Sequence, residues 1–407
     1  MKKNAVGFFF YYWFILFLFT GFSAIARQPA TVITNRNELT NIAHQIFYLE
    51  DTSGIKDFAQ VSNSEEADSF QPFNKPFVNF GLSPSAFWMR LELQNRTGEK
   101  LLLQIGNTAI TDIKVYEEQT GKPISVLHSG SWKKFSERSL QNSDYIFPLA
   151  VDNGQSTTIY IRVQHYRGTQ FPLTVGTLQA YYHESNNRNL LEGIYYGFML
   201  LMILYNLFIY FSLRDVSYLY YVAYIFFMAL LNASINGYAF KYFWPSWPSF
   251  NQYEDIISSL VGITGILFAS TFLNTKKHTP KYHRFFILTK NFFWGSIAVN
   301  IISLLLVLSF FGAAWQTLRR GYRPAKFFLI AWSLLLLSVI VFILKDFDIL
   351  PYNAVTVNSL QIGSAIEALL LSMALANRIN IYKKEKQQAQ VEMLRSLEAN
   401  EKLIREQ

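Results

Sequence analysis

Glu367 sits near the middle of "QIGSAIEALLLSMALANRIN", Gln361 to Asn380, a run otherwise apolar enough to cross a bilayer. A charged side chain at membrane depth costs about 2.5 to 3.5 kcal/mol on insertion scales, so it persists only with a partner, a cavity or a task. Helical spacing puts Ser364 one turn before it and Gln361 a further turn back, a partly polar stripe that can face other helices instead of lipid. Asn206 in "LYNLF" and Arg214 in "SLRD", at or near the inner end of an earlier apolar run, are the candidate partners. The expected role of this relay set is a buried, hydrogen-bonded or protonated carboxyl that fixes the last helix. Proton or ion transport is the sharper alternative, but no pair of broken helices in internal repeats accompanies it.

A second constellation lies in two alternating segments. In "AFWMRLELQ", Phe87, Met89, Leu91 and Leu93 share one face, and Trp88, Arg90, Glu92 and Gln94 the other. In "TTIYIRVQ", Ile159, Ile161 and Val163 oppose Tyr160, Arg162 and Gln164. Each polar face thus joins an aromatic ring to an arginine. Rings supply apolar contact and arginines fix orientation, so Trp88, Arg90, Tyr160 and Arg162 could form a platform for a sugar or another planar-faced ligand. The competing account makes Trp88 part of a second packed layer whose outer side is covered elsewhere.

Catalysis finds no such footing. The six histidines, His44, His128, His165, His183, His278 and His283, have no metal-ligand spacing, and no glycine-rich phosphate loop precedes a helix. Nucleophile elbow, kinase histidine box and cyclase signature are missing as well. Cysteine is absent, which excludes disulfides and thiolate metal sites. The expectation is therefore no catalytic residue, no metal and no cofactor.

The elements that must position these residues divide the chain sharply. Of 407 residues 51% are hydrophobic and only 16% charged, too apolar for an ordinary soluble protein. The net charge of +8 reflects lysines and arginines at the ends of apolar runs, not along an aromatic strand surface, so nucleic acid is not an expected partner. Residues 1–26 read as a secretory signal: Lys2 and Lys3, an apolar stretch, then Ala24-Ile25-Ala26. From Gln28 to His183, turn signals such as "DTSG" and "NRTGE" separate short alternating runs, an antiparallel β domain. Beyond it, Leu190–Leu213, Tyr218–Asn236, Ile256–Leu273, Phe292–Ala314, Phe327–Leu344 and Ala354–Ala376 are each long enough to span about 30 Å of hydrocarbon.

Several stretches together resemble one family, the bacterial receptors with seven transmembrane helices and diverse intracellular signalling modules that carry that family's second type of extracellular domain. They include "FYLEDTSG", "NFGLSPSAFWMRLELQN", "LLLQIGNTAITDIKVYEE", "GIYYGFMLLMILYNLFIYFSLRDVSYLYYVAY", "NGYAFKYFWPSWP", "RRGYRPAKFFLIAW" and the Glu367 run itself. The resemblance implies a membrane protein of the bacterial inner membrane. A periplasmic, jelly-roll-like β-sandwich (28–183) akin to carbohydrate-binding modules precedes a helical transmembrane bundle (188–378). The implied output is relayed to a cytoplasmic module such as a two-component histidine kinase or a diguanylate cyclase. One count departs from the family: six runs where seven helices are implied. The basic loops around Lys276–Lys290 and Arg319–Lys326 should both be cytoplasmic, yet a single apolar run separates them. One crossing cannot return to the same side. A missing fourth or fifth helix, with one long helix in its place, is the expectation, and a re-entrant segment over 285–315 the alternative.

After the last run, residues 379–407 are rich in Glu, Lys, Gln and Leu without Gly or Pro, a helix that continues the span. Gln390, Leu394, Leu397, Glu401 and Ile404 recur at four and three spacing, a weak coiled-coil seam through which a homodimer could form. The functional expectation is a non-enzymatic receptor. It binds a periplasmic small molecule or carbohydrate, sits in membrane lipid and hands a shift to a cytoplasmic signalling module. The alternative is a transporter or membrane enzyme subunit using Glu367.

Overall fold

Alternation of apolar and polar residues builds the outer domain. In a computed structural model, which describes residues 30–63, 66, 68–118, 125–165, 168–290, 296–347 and 349–406, the ten-residue strand Ala86–Asn95 is central. The expected signal segment, residues 1–26, lies outside the described residues. Ala86–Asn95 pairs antiparallel with Phe47–Asp51 on one side and Ser156–Gln164 on the other. Ser156–Gln164 pairs in turn with Asp112–Glu118 and that strand with Ser125–Ser129. A second sheet holds Tyr145–Leu149, Leu101–Ile105, Leu173–Thr177 and Thr40–Asn41. Met89, Leu91, Leu93, Ile159, Ile161 and Val163, the apolar faces read from the sequence, join Leu101, Leu103, Phe147 and Val175 of the second sheet in one core. Burial of such side chains stabilises by about 1.5–3 kcal/mol each, which lets a domain without disulfides hold together.

The domain does not end at His183. Its last strand, Leu173–Thr177, runs straight into α1 (Leu178–Leu213), whose first turn is capped by the Thr177 hydroxyl accepting from the Ala180 amide at 3.2 Å. The stretch "AYYHESNNRN", residues 180–189, is therefore helix. At 36 residues α1 is about 54 Å long, nearly twice the hydrocarbon thickness, so its first turns stand above the bilayer. Tyr181 on those turns packs against Leu102 and Ile146 of the second sheet, closing the hinge that a loop would have left.

The bundle continues with α2 (Val216–Ile235), α3 (Glu254–Phe272), α4 (Pro280–Lys290), α5 (Ser296–Arg319), α6 (Ala325–Asp346) and α7 (Ser359–Glu406). Among the described residues, α1, α2, α3 with its preceding turn, α6 and the first part of α7 are long and apolar enough to cross a membrane. The run expected at Phe292–Ala314 begins in residues outside the description and is helical from Ser296 onward.

Where a helix was expected to be missing, the structure has the 11-residue α4 followed by the 24-residue α5. In sequence the residues of α4 read as a basic loop because Lys281, Arg284 and Lys290 mask a short apolar face. In the structure Tyr282 lies against Gly312, where a Cβ would strike its ring, and Phe286 packs edge-on to Phe310 at 5.3 Å. Rising numbers on α4 thus meet falling numbers on α5, so the two helices are antiparallel. The two basic loops then meet at one end: Arg320 donates to the His278 carbonyl, and the His278 and Tyr322 rings stack at 5.7 Å. α4 covers about 16 Å, roughly half the hydrocarbon. The outer domain and the extension of α7 lie at opposite ends: Thr108 and Gln170 of the outer domain bond the carbonyls of Ile235 and Lys345 at the ends of α2 and α6, whereas Arg378 lies beside Asp215 at the start of α2.

Candidate functional site: a polar seam on the last membrane helix

α7 presents a polar or carbonyl group about once per turn toward α1 and α2. Gln361 Nε2 donates to Glu192 Oε2 at 2.8 Å, and the Ser364 and Tyr195 hydroxyls meet at 3.0 Å. Tyr224 Oη sits 2.9 and 2.8 Å from the two oxygens of Glu367, which is 1% exposed. Tyr221 donates to the Ala368 carbonyl and Tyr218 to that of Leu375, at 3.1 Å for the second. Between them, Asn206 Nδ2 donates to Ser372 Oγ at 3.1 Å. At the basic end Arg378 donates to Ser217 at 2.8 Å and lies 3.6 Å from Asp215. In hydrocarbon a polar group has no water to return to, so these contacts specify one register of α7 against α1 and α2.

The expected relay residues are thus on the seam with one exception. Glu367 and Gln361 lie on it, but neither Asn206 nor Arg214 is the partner of Glu367. Asn206 lies level with Ser372, five residues or about 7.5 Å along α7 from Glu367, and bonds there. Arg214 is the left-handed residue that ends α1, φ 56°, exposed with its guanidinium 5.9 Å from the Phe211 ring. The true partner is Tyr224, which the sequence reading does not single out. Its signal is present in "SYLYYVAYIF", where Tyr218, Tyr221 and Tyr224 recur every three residues on an apolar helix and so share one side.

The four platform residues do not form an open surface. Trp88 is fully buried and Tyr160 is 4% exposed, beneath a cover made by Phe58, Val61 and Phe70. Phe58 stacks on Tyr116 at 4.8 Å and meets Tyr160 edge-on at 5.2 Å. The cover is a short helix, Phe58–Val61, whose start is closed by a reciprocal Asp57–Gln60 capping box. Arg162 bonds Asp112 at 2.8 Å and the Gly54 carbonyl at 2.7 Å, fastening the cover's base, and Arg90 lies over the Phe70 ring at 5.0 Å. The ring-and-arginine pattern has a packing cause. Rings fill a second layer, and arginines tie its edges.

The outer domain is docked on the helix ends directly. Thr108 donates to the Ile235 carbonyl at 2.9 Å, at the last residue of α2, and a Cβ at Gly237 (φ 75°), two residues on, would come within 2.7 Å of Thr108. Asn79 and Gln170 donate to the carbonyls of Asp346 and Lys345 at the end of α6, both at 3.3 Å, and Phe77 packs on Tyr352 ahead of α7. Arg138 inserts between Tyr145 and Phe240 at 4.3 and 5.5 Å; burial draws its pKa below the usual arginine value.

A sandwich-topped helical bundle with this junction is matched by two family models, 7TMR-DISM extracellular 2 over residues 43–177 and 7TM diverse intracellular signalling over residues 188–378. The chain belongs to the 7TMR-DISM family. No curated protein matches it. The two 7TMR-DISM models meet across Leu178–Asn187, the part of α1 that joins strand to membrane. Membership makes the chain a multi-pass transmembrane sensor with an extracellular amino-terminal domain.

Proposed function

We propose that ligand occupancy of the outer domain shifts α7 against α1 and α2, and that the α7 extension carries this shift to a cytoplasmic output module such as a histidine kinase or diguanylate cyclase. One observation carries the reading. α7 is a single 48-residue helix, about 72 Å long, that starts beside the outer domain and leaves the bundle past Arg378. A rigid rod transmits displacement at its top to its bottom. Clustering of Lys276, Lys277, Arg319, Arg320, Arg323 and Lys326 at the far end supports a cytoplasmic placement of that end in a bacterial inner membrane. Val391, Leu394 and Leu397 are exposed on the extension and support pairing of two copies through a coiled coil; the side chains of Glu401 and Ile404 lie outside the described ones. The ligand class is a small molecule or a carbohydrate, with lipid as the surrounding partner. Carbohydrate binding at Trp88 would require the Phe58–Val61 cover to lift.

The cysteine-free sequence makes topology directly measurable. Glu50→Cys and Lys383→Cys, each alone in the full chain, are expected to react with a membrane-impermeant maleimide from opposite faces, and labelling of both from the same face would sink the receptor reading. For the transport alternative the buried Glu367 is the favouring observation. Glu367→Gln keeps an acceptor for Tyr224, so a receptor is expected to retain ligand affinity with an altered baseline, whereas a carboxyl-dependent transporter would lose uptake.

A further inference from the structure

A cavity of about 640 Å³ lies between the outer domain and the helix ends, within the size range of small-molecule sites. Its charged lining is predominantly acidic: Asp144, Glu192, Glu254 and Asp346 against Arg188 and Lys345. Both cations are committed, Arg188 to Asp144 at 2.5 Å and Lys345 to Asp346 at 2.8 Å. Glu192 is different: its hydrogen bonds come from neutral groups, the amides of Asn236 at 3.2 Å and Gln361 at 2.8 Å with the Tyr196 hydroxyl beside them, and Arg188, the cation near it, is held by Asp144. A carboxylate accepts about four hydrogen bonds, so this one has capacity left for a charged donor. Aromatic rings complete the wall. Lys345 Nζ already sits 4.3 Å from the Phe342 ring and 5.5 Å from that of Tyr352, so the rings on this side accommodate an ammonium group.

A bare metal ion fits less well. Among the described residues no three acidic or imidazole groups converge as ligands, and the carboxylates are distributed around the wall. Distributed acids and rings suit an extended organic cation.

We propose that this cavity binds a small organic amine whose ammonium group engages Glu192 and competes with Gln361 for it, a site and ligand class that rest on the receptor reading. Glu192 belongs to α1 and Gln361 to the first turn of α7, so an amine that draws off the carboxylate releases the top of the polar seam. Occupancy then favours the arrangement in which α7 is free to move, which is the differential affinity that a ligand-driven shift requires.

The test uses the full chain in lipid nanodiscs with putrescine and choline as probes, diacetylputrescine as a neutral control and succinate as an anionic one. Calorimetry is expected to show putrescine or choline binding, with both controls silent. Glu192→Gln keeps the side chain's shape and is expected to weaken amine binding at least tenfold. The diacetyl control makes the same point on the unaltered protein should that variant fail to assemble. Absence of amine binding at millimolar concentration, equal binding of the controls, or full affinity in Glu192→Gln overturns the site. A spin-label pair at Ser212→Cys and Lys383→Cys reads the movement of α7: a changed distance with putrescine supports the coupling, and binding with an unchanged distance overturns it. The opposite-face labelling described above is independent of amines, so failure of the site and failure of the receptor reading are told apart.

Discussion

Trp88→Ala is expected to destabilise the outer domain by about 3 kcal/mol, whereas Trp88→Phe should stay within about 1 kcal/mol of the parent. Truncating a buried tryptophan typically costs about 3–5 kcal/mol through lost transfer energy and the cavity left behind. Here the indole Nε1 is buried without a hydrogen-bond partner, so its removal returns part of that cost. Phenylalanine keeps most of the ring contact with Tyr116 and Tyr160 while deleting the unsatisfied donor. Hydrogen–deuterium exchange on the full chain checks both: Trp88→Ala should speed exchange in Ala86–Asn95 and Ser156–Gln164, and Trp88→Phe should not. The opposite pattern, unchanged exchange in Trp88→Ala with loss of glycan binding in both variants, would restore the open platform and remove the packed-layer account.

The second large effect is expected at the centre of the bundle. Tyr224→Phe leaves the Glu367 carboxyl buried and stripped of its Tyr224 contacts, at a cost of about 1–3 kcal/mol. Glu367→Met alone leaves the Tyr224 hydroxyl without its acceptor, again a loss. Replacing both removes donor and acceptor together, so the double variant should be more stable than the sum of the single losses allows, with a coupling of about 1–2 kcal/mol. Unfolding of all four proteins in mixed micelles gives the coupling directly. Purely additive losses would mean that the pair is not energetically joined. Output should follow the same order, because the Glu367–Tyr224 contact lies midway along the seam that sets the position of α7.

The same seam explains why a carboxylate persists at membrane depth. A glutamate facing lipid would be expelled or would deform the bilayer around it, but one that accepts hydrogen bonds inside the bundle contributes specificity at bounded cost. Contacts spaced along α7 from Gln361 to Arg378 resist both sliding and rotation. At its two ends the seam meets other parts of the molecule: Gln361 bonds Glu192, which lines the junction cavity, and Arg378 lies where α7 continues into the extension.

Much of the architecture was legible because it rests on local periodicity. Period two placed Met89, Leu91, Leu93, Ile159, Ile161 and Val163 on the buried face, and run length located five of the membrane spans, since both patterns follow from strand pleat and hydrocarbon thickness irrespective of what packs alongside. α4 was not legible. Its lysines and arginine break the apolar run, and only the Phe286–Phe310 contact reveals that it returns along α5. Trp88 and Arg162 were ambiguous for a related reason: alternation assigns a side chain to a face but says nothing of what covers that face, and the cover comes from Phe58, Val61 and Phe70, well upstream of either strand. Composition and spacing alone therefore determined a β domain, an apolar helical bundle long enough to cross a membrane and a helical tail. The partner of Glu367, the docking of the outer domain and the acidic cavity beneath it were decided only by tertiary structure, because each joins groups from different elements whose relative height and rotation no local pattern encodes.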